Sequence, residues 1–478
     1  MEDELLAQRR EKLDRLRADG IDPFPHAYPG VETIASVRAA HEGLADGEET
    51  EVSHRVAGRL AARRGQGKMA FLDLVDRSGR LQLQARLDVL GEEAHERLLG
   101  LDLGDLIGVD GTAFMSRRGE LSLRIDGFDV LAKSLRPPPD KHHGLADVET
   151  RYRQRELDLI ANEETRDVFV ARAKITSAIR RTLDDDDFVE VETPTLVSLY
   201  GGALAKPFRT HFNALHQDMY LRIATELYLK RLIVGGLERV YEVGKNFRNE
   251  GLSPRHNPEF TMIEWYEAYA DYLDEADRVE QVVRAAATAI DYDGELKIHE
   301  PWARITLRDA IIQHAGIDVM AHRDRDALAA EIGDRLPTKD RTWPQLVDDL
   351  LGEYVEPQLQ QPTFLLDYPI ELSPFAKRHR TEEGLTERFE AYIKGIEIAN
   401  AFTELNDPDD QRARFEAQVR YAEQGDDEAQ PFDESYVRAL EHGMPPTGGV
   451  GVGIDRLVMI LTGKDTIREV ILFPALRD

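Results

Sequence analysis

Charged and aromatic side chains suited to a charged ligand are concentrated in residues 246–266, which read NFRNEGLSPRHNPEFTMIEWY. Residues 238–247 run as an apolar, aromatic strand, and the glycine and prolines of 248–258 predict a loop before a second strand. Arg248 and Arg255 would lie at the mouth of this hairpin. A guanidinium offers paired planar donors, so both arginines suit a phosphate or a carboxylate. The hairpin therefore predicts an anion site.

The second strand of the hairpin carries a candidate cation site. Successive strand side chains point to opposite faces, so one face would present Phe260, Met262, Glu264 and Tyr266. A carboxylate buried between aromatic rings is costly unless it meets a cation. The hairpin thus fits a small zwitterion that carries an extra positive charge and is activated by a polyphosphate.

A glycine-rich segment, Gly449–Leu461, reads GVGVGIDRLVMIL. Glycine at every other position strips one face of a strand, so a flat ligand or another backbone can lie against it. The apolar run that follows Arg456 indicates a buried helix. The alternative is a glycine-rich strand packed under a helix, with Arg456 in a structural ion pair. The chain has neither a GxGxxG spacing nor a GxxxxGK[ST] loop, so nucleotide binding would need another scaffold.

A third cluster, RFEAYIKGIEIANAFTELND, spans residues 388–407. Lys394 and Gly395 suit a two-residue hairpin turn, which would pair Glu390 with Ala399. In that register Glu390 and Glu397 lie diagonally on one face. Adjacent carboxylates repel unless a cation lies between them, and Mg²⁺ held by one or two carboxylates plus substrate phosphates is usual in nucleotidyl chemistry. The alternative is an exposed hairpin with solvated acids.

Together these segments resemble the class II aminoacyl-tRNA synthetases, and within them the lysyl enzymes of bacterial type. Residues 188–196 (FVEVETPTL) are similar to the family's first motif, a strand with a terminal proline used in dimerisation. The hairpin and the glycine strand are similar to its second and third motifs. Neither HxGH nor KMSKS of the class I enzymes is present. Four more segments are similar to lysyl-type signatures: GGALAKPF (201–208), ATELYLKRL (224–232), RHNPEF (255–260) and FTELND (402–407).

The resemblance implies an ATP site. Arg248 would bridge the α-phosphate and the amino acid carboxylate during in-line attack, and Arg456 would be the second catalytic residue, on the γ-phosphate. Phe260 would stack on adenine. No covalent nucleophile is required, because positioning and electrostatics supply most of the rate. The residues implied to bind ATP are Arg248, Glu250, Arg255, His256, Phe260 and Arg456, and those implied to hold Mg²⁺ are Glu390 and Glu397.

The resemblance also implies a lysine pocket. Its carboxylates would meet the two ammonium groups of the substrate and repel aspartate in a low-dielectric site. The related aspartyl and asparaginyl enzymes would instead need donors for their substrates' side chains. The residues implied to bind lysine are Gly202, Glu226, Glu264, Tyr266, Asn400, Phe402 and Glu404.

Several short strands between about 52 and 132 predict a small β-barrel, which the family would make an OB-fold. The resemblance implies that Phe71 stacks on the middle anticodon base and that Gln82 hydrogen-bonds its edge, with Glu120 a weaker candidate. Without the resemblance, Phe71 would be interpreted as an ordinary barrel core residue.

The predicted protein is α+β: a class II synthetase-type catalytic domain on an antiparallel sheet, with an N-terminal OB-fold β-barrel. An exposed amphipathic helix is expected in residues 1–20. The predicted domains are an N-terminal helical segment (1–50), an anticodon-binding OB-fold (51–135), a proline-rich linker (136–150) and the catalytic domain (151–478), with a helical insertion at about 305–360.

Composition constrains the partners. A formal net charge of −29 is unfavourable for RNA binding as a whole, so a local basic stripe on the barrel would be needed, formed by Arg55, Arg59, Arg63, Arg64 and Lys68. The chain has no cysteine, which excludes disulfides and is consistent with a reducing cytoplasm. No run of 18 apolar residues could cross a bilayer. These features predict a cytoplasmic protein, and the resemblance implies a homodimer that uses tRNA(Lys), lysine and ATP.

Other functions stay open from the residues alone. They are an aspartyl or asparaginyl enzyme, a relative that lysylates a protein, a non-catalytic RNA-binding relative and a membrane-fused lysyl-lipid synthase. The barrel argues against a relative that lysylates a protein, and the retained ATP residues argue against a non-catalytic RNA-binding relative. The lack of a transmembrane segment argues against a lysyl-lipid synthase.

Overall fold

The computed structural model describes residues 2–65, 67–139, 145–203, 205–423 and 431–477. The chain divides into two compact units, Met1–Ala146 and Asp147–Asp478. Residues 140–144 of the predicted linker lie outside the described residues. No helix in the part of the chain that the structure describes is long and apolar enough to span a membrane.

The first unit is built around a closed five-stranded barrel with strand order β1-β2-β3-β5-β4, in which only β3 and β5 pair in parallel. Alternate strand residues such as Val56, Leu72 and Leu83 point inward and are fully buried, as the period of two requires. The elements of this unit are α1 (Glu2–Ala18), α2 (Ile34–Ala40), β1 (Glu49–Arg64), β2 (Met69–Asp76), β3 (Gly79–Arg86), α3 (Leu87–Leu90), α4 (Glu92–Gly100), β4 (Leu106–Met115) and β5 (Leu121–Ala132).

Helix α1 is amphipathic and largely exposed, as its sequence predicted. Its buried face includes Leu13 and Leu16, and Leu16 belongs to the core of the barrel. The Arg9 guanidinium donates to the carbonyl oxygens of Leu103 and Ser134, at 3.1 and 2.9 Å. The structure adds what the amphipathic pattern did not reveal, which is what covers the apolar face of the helix.

The second unit is organised by an eight-stranded sheet, order β12-β13-β14-β15-β16-β11-β10-β6, in which the pairs β12–β13 and β10–β6 are parallel and the others antiparallel. A separate three-stranded sheet has the order β7-β9-β8. The elements are α5 (Val148–Arg153), α6 (Arg155–Ala161), α7 (Glu163–Asp185), β6 (Val189–Glu190), β7 (Leu196–Val197), β8 (Arg209–Phe212), β9 (Gln217–Leu221), α8 (Glu226–Val234), β10 (Arg239–Phe247), β11 (Glu259–Ala268), α9 (Tyr272–Thr288), β12 (Ala303–Thr306), α10 (Leu307–Ala315), α11 (Arg325–Ile332), α12 (Trp343–Leu350), β13 (Thr363–Pro369), β14 (Leu385–Ile393), β15 (Ile396–Thr403), α13 (Pro408–Glu423), α14 (Glu434–Glu441), β16 (Thr447–Gly453) and α15 (Ile454–Leu461).

The glycine strand β16 occupies the centre of the large sheet, between β15 and β11. Its Val450 and Val452 are buried in a core shared with α7, α9 and α15, while its alternate glycines face the opposite side. The α+β class, the antiparallel sheet and the barrel are confirmed. The segment 305–360 is mostly helical, as expected, although its first residues still belong to the edge strand β12.

The turn between β14 and β15 has the predicted form, and Tyr392 and Ile393 pair as that turn requires, but the register predicted for Glu390 was wrong. Lys394 and Gly395 have φ angles of 54° and 65°, as a type I′ turn requires. Glu390 pairs with Asn400 and not with Ala399, because β15 carries an irregularity that inserts one extra residue. The bulge has a functional consequence: it turns Glu397 and Asn400, which strict alternation would place on opposite faces, toward the same cavity.

Candidate active site

A cavity of about 380 Å³ opens on the face of the sheet that the glycines leave bare. It is bounded by the loop between β10 and β11, by strands β11, β14, β15 and β16, and by the start of α8. Every residue predicted from the sequence for ATP, lysine or metal binding lines it: Gly202, Glu226, Arg248, Glu250, Arg255, His256, Phe260, Glu264, Tyr266, Glu390, Glu397, Asn400, Phe402, Glu404 and Arg456.

The glycines of β16 create the floor of this cavity. A Cβ on Gly449 would lie 2.1 Å from Glu404 Oε1 and 2.4 Å from Tyr266 Cε1, so a side chain there would collide with two cavity residues. A Cβ on Gly451 would touch the terminal methyl of Met262 at 3.0 Å. The alternating glycines thus make room for neighbouring side chains as well as for a ligand.

One end of the cavity holds three buried carboxylates, those of Glu226, Glu264 and Glu404. The Thr225 N–H donates to Glu264 Oε1 at 3.1 Å. Burial raises the pKa of Glu264, and raises the pKa of Glu404 to about 8. Oε1 of Glu404 is buried and receives no hydrogen bond from the described residues, so it is available to a ligand. A cation entering this end would meet acceptors whose ionised form is otherwise costly.

A buried lysine that sequence reasoning missed lies among these carboxylates. Lys230 on α8 is fully buried; its Nζ lies 2.6 Å from Glu226 Oε1 and forms a second ion pair with Glu404. Burial alone would lower the pKa of Lys230, but the two carboxylates outweigh it and raise that pKa. The available signal was the i,i+4 spacing from Glu226 within ATELYLKRL.

The other end of the cavity is basic. The Arg248 guanidinium lies over the Phe260 ring, 5.1 Å from its centroid, and burial lowers the pKa of Arg248. Its Nε is buried and has no partner among the described residues, so it is a free donor. Arg255 donates to the carbonyl oxygen of Gly395 at 3.0 Å. The two arginines thus face the cavity from the loop that the sequence predicted.

Arg456 is held by two neighbours. Its Nη1 donates to Glu397 Oε2 at 2.9 Å, and its Nη2 lies 3.0 Å from His256 Nε2. Burial and the positive charge of Arg456 lower the pKa of His256, so its neutral ring accepts from Arg456, while its Nδ1 bonds to Ser253 Oγ at 2.7 Å. The structural ion pair considered for Arg456 is therefore present, and it lies inside the cavity.

The carboxylate of Glu390 is strongly anchored. Arg388 Nη2 donates to its Oε1 at 2.5 Å, and the hydroxyls of Tyr368 and Tyr392 donate to its Oε2 at 2.8 and 2.6 Å. The alternative of solvated acids on an exposed hairpin is wrong for Glu390. Arg388 was missed, although it lies two residues before Glu390 and thus on the same strand face.

The donor set fits magnesium bound together with a polyphosphate. Glu390 and Glu397 supply hard carboxylate oxygens on one cavity wall. Within the described residues, no group of three or more acidic, histidine or cysteine side chains could hold a metal by itself. Mg²⁺ usually takes one or two carboxylates and completes its shell with phosphates and water, so two carboxylates beside arginines suit it.

The three residues predicted to read an anticodon lie on the barrel. Phe71 is half-buried and absent from the barrel core, so its interpretation as an ordinary core residue is wrong. Its strand partner is Gln84, which places Gln82 on the same outer face, diagonally across from Phe71. Glu120 is exposed at the start of β5 and pairs with Arg38 at 3.0 Å.

The basic stripe expected on the barrel is largely engaged in internal contacts. Arg59 donates to the carbonyl oxygen of Gly104 at 2.7 Å, and Arg63 to that of Leu101 at 3.1 Å. Arg64 pairs with Asp73 at 2.8 Å. The basic row is thus present on β1, and the sequence did not reveal which acceptors would lie beside these three arginines.

The chain is similar to known proteins over its whole length. Residues 147–477 match the family described as tRNA synthetases class II (D, K and N), and residues 54–131 match the OB-fold nucleic acid binding domain. A lysine–tRNA ligase of Halalkalibacterium halodurans is 49% identical over 487 residues, which cover 99% of this chain and 97% of that protein. A lysine–tRNA ligase of Dehalococcoides mccartyi is 50% identical over 494 residues, 100% of this chain and 98% of the relative.

Proposed function

The chain belongs to the class II tRNA synthetases of the D, K and N group, and on that premise we propose that its cavity joins lysine to tRNA(Lys) at the expense of ATP. The observation that carries the proposal is the polarity of the cavity. Three buried carboxylates lie at one end, and arginines with free or ligand-facing donors lie at the other. A substrate with two ammonium groups and one reactive carboxylate matches this arrangement, whereas aspartate would be repelled.

In the first step, an oxygen of the lysine carboxylate attacks the α-phosphorus of ATP; a P–O bond forms and the bond to pyrophosphate breaks. Arg248 would lie against both reacting groups and neutralise the charge that develops there. Arg255, His256 and Arg456 would hold the outer phosphates. Phe260 would stack on adenine with the face of its ring that is opposite Arg248. Glu250 would accept a hydrogen bond from the adenine amino group.

In the second step, the terminal ribose 3′-hydroxyl of the tRNA attacks the lysyl carbonyl; the new C–O ester bond forms, AMP leaves with the electrons of the bond that breaks, and the hydroxyl proton is released. Glu226, Glu264 and Glu404 would keep the two ammonium groups fixed through both steps, together with Gly202, Tyr266, Asn400 and Phe402. Magnesium, when bound, supplies charge neutralisation of the phosphates, and Glu390 and Glu397 would hold it. Rate enhancement then comes from positioning and electrostatics.

Recognition of tRNA would fall to the barrel. Phe71 presents a half-buried ring on the outer face; Gln82 lies on the neighbouring strand β3, and Glu120 immediately precedes β5, which pairs with β3. Stacking on an unpaired base and hydrogen bonding to its edge are the usual means of reading single-stranded RNA. This supports an anticodon role for residues 51–135.

A homodimer completes the proposal. The segment similar to the family's first motif exposes apolar side chains: Val189 is 50% and Leu196 41% accessible. Val170, on the helix that leads into it, is 55% accessible. Exposed apolar residues grouped on one chain segment suit burial against a second copy. Lack of cysteine and of disulfides fits a cytoplasmic enzyme.

The test is amino-acid-dependent ATP–pyrophosphate exchange, run with Mg²⁺ and each of the twenty amino acids. Exchange with lysine alone is the expected result. Exchange with aspartate or asparagine would keep the family and overturn the pocket assignment, and no exchange at all would favour a non-catalytic RNA-binding protein. The Arg248→Ala variant should lose exchange while its circular dichroism and sedimentation remain those of the parent.

A further inference from the structure

Lys230 has no role in the reaction described above, yet it occupies the centre of the carboxylate end. Its side chain is fully buried and contacts Glu226 and Glu404, both of which line the cavity, whereas Lys230 itself does not line it. The ring centroids of Phe375 and Tyr266 lie 5.4 and 5.9 Å from its Nζ. Lys230 thus contacts the carboxylates of Glu226 and Glu404 without itself lining the cavity.

The charges around this point are unbalanced without a ligand. The groups that face Lys230 are Glu226 on α8, Glu404 after β15, Tyr266 on β11 and Tyr436 on α14. The charge of Glu264 acts on Glu404, and that of Glu226 acts on Glu264. Burial raises the pKa of Tyr266 and of Tyr436, so both tyrosines stay neutral. When all three carboxylates are ionised, they and the one ammonium have a net charge of −2, which equals in size the charge of the two ammonium groups of lysine.

We propose that Lys230 is a specificity-determining and positioning residue that sets the charge of the pocket: its ammonium favours the ionised forms of Glu226 and Glu404, orients both carboxylates, and leaves two negative charges for a substrate with two ammonium groups once all three pocket glutamates are ionised. The inference rests on the proposed function. It deepens that function, because the pocket would then select a substrate with two positive charges and would not simply attract any cation. A buried charge is costly unless paired, so both an excess and a deficit of carboxylate should weaken lysine binding.

The alternative role for Lys230 is structural, as a buried ion pair that ties α8 to the segment after β15. The first unit offers a matched control for that role. Lys133 is also fully buried, and its Nζ lies 2.9 Å from Asp105 Oδ1 and 2.7 Å from Asp102 Oδ2. Lys133→Met removes a comparable buried ion pair without touching the cavity.

The test uses the full-length protein and measures the lysine KM and the ATP KM in pyrophosphate exchange between pH 6.5 and 9. Lys230→Met should raise the lysine KM about 10- to 100-fold at pH 7, as expected for a charged hydrogen-bond network that is disrupted, and leave the ATP KM within about threefold. Relative to the parent, this increase in the lysine KM should shrink as the pH rises. Without Lys230 the three carboxylates repel one another and ionise only at higher pH, where they can again bind the ammonium groups of lysine. Lys133→Met should change neither constant.

A double variant separates charge setting from structure. Glu226→Gln alone leaves a net charge of −1, and Lys230→Met added to it restores −2. The double variant should therefore have a lower lysine KM than Glu226→Gln alone, whereas a structural role for Lys230 predicts a higher one. This comparison also carries the test if Lys230→Met alone does not fold.

Two outcomes overturn the inference while leaving the proposed function intact: a lysine KM in Lys230→Met that matches the parent at every pH, or a double variant that is worse than Glu226→Gln. Absence of lysine-dependent exchange in the parent protein would instead overturn the proposed function, and the charge-setting role with it.

Discussion

Adding one methyl group to the cavity floor tests the arrangement of the lysine pocket directly. In Gly449→Ala the new Cβ would lie 2.1 Å from Glu404 Oε1 and 2.4 Å from Tyr266 Cε1, whereas Cβ atoms essentially never approach a heavy atom within 3.0 Å. The overlap with the carboxylate is thus about 1 Å. Glu404 and Tyr266 are 1% and 3% accessible, so close packing gives them little room to move away.

The expected cost has two parts. Overpacking a well-filled interior costs about 1–3 kcal/mol of stability, and displacement of a substrate-positioning group by about 1 Å costs on the order of 100-fold in rate. Gly449→Ala should therefore raise the lysine KM at least about tenfold and lower kcat for pyrophosphate exchange, with a smaller effect on the ATP KM.

The neighbouring Gly448→Ala is the matched control. Its Cβ would lie 2.7 Å from the side chain of Glu275, on the core face of the same strand and outside the cavity. It should lower the urea midpoint of unfolding and leave the lysine KM of the folded protein unchanged. A parental lysine KM in Gly449→Ala would refute the pocket geometry, and equal KM increases in both variants would show general distortion of the strand.

Three further predictions address the pocket, the barrel and the core. Glu264→Gln should raise the lysine KM about 10- to 100-fold through loss of a charged hydrogen bond, and an unchanged constant would refute its contact with an ammonium group. Phe71→Ala should raise the tRNA KM in aminoacylation about 5- to 100-fold through loss of base stacking and leave exchange unaffected; equal effects on both assays would indicate a structural role. Burial raises the pKa of Glu275, which accepts from Trp265 Nε1, from 4.5 to about 8. Because this folded-state pKa lies above the unfolded value, its contribution to stability is complete below about pH 4.5 and is lost as the pH rises through 8. Between pH 5 and 9, the urea midpoint of the parent should therefore fall more than that of Glu275→Gln, and parallel curves would contradict the raised pKa.

Much of the fold followed from local patterns. The alternating glycines before an apolar run predicted β16 and α15, and the Lys-Gly pair predicted the turn at Lys394. The period of two correctly placed Phe260, Glu264 and Tyr266 on one face. Each of these features depends on residues within a few positions of one another, where steric rules act without help from the rest of the chain.

The register of β15 could not be obtained in this way. A bulge costs little and leaves no clear trace in composition, so alternation alone paired Glu390 with the wrong residue. Similarly, the arginines of β1 form a basic row in the sequence, but in the folded barrel two of them, Arg59 and Arg63, donate to backbone carbonyls more than 30 residues away in the chain.

Residue types and their spacing therefore predicted the class of chemistry: which side chains would suit phosphates, ammonium groups and a metal, and on which strands they lie. How those charges are shared became visible in the folded protein. Arg456 meets Glu397 and His256, Glu390 meets Arg388, and Lys230 lies between two pocket carboxylates. The physical reason is that residue type fixes the charge of a group, whereas burial and the distance to its neighbours, which arise only on folding, fix what that charge costs and what it can bind.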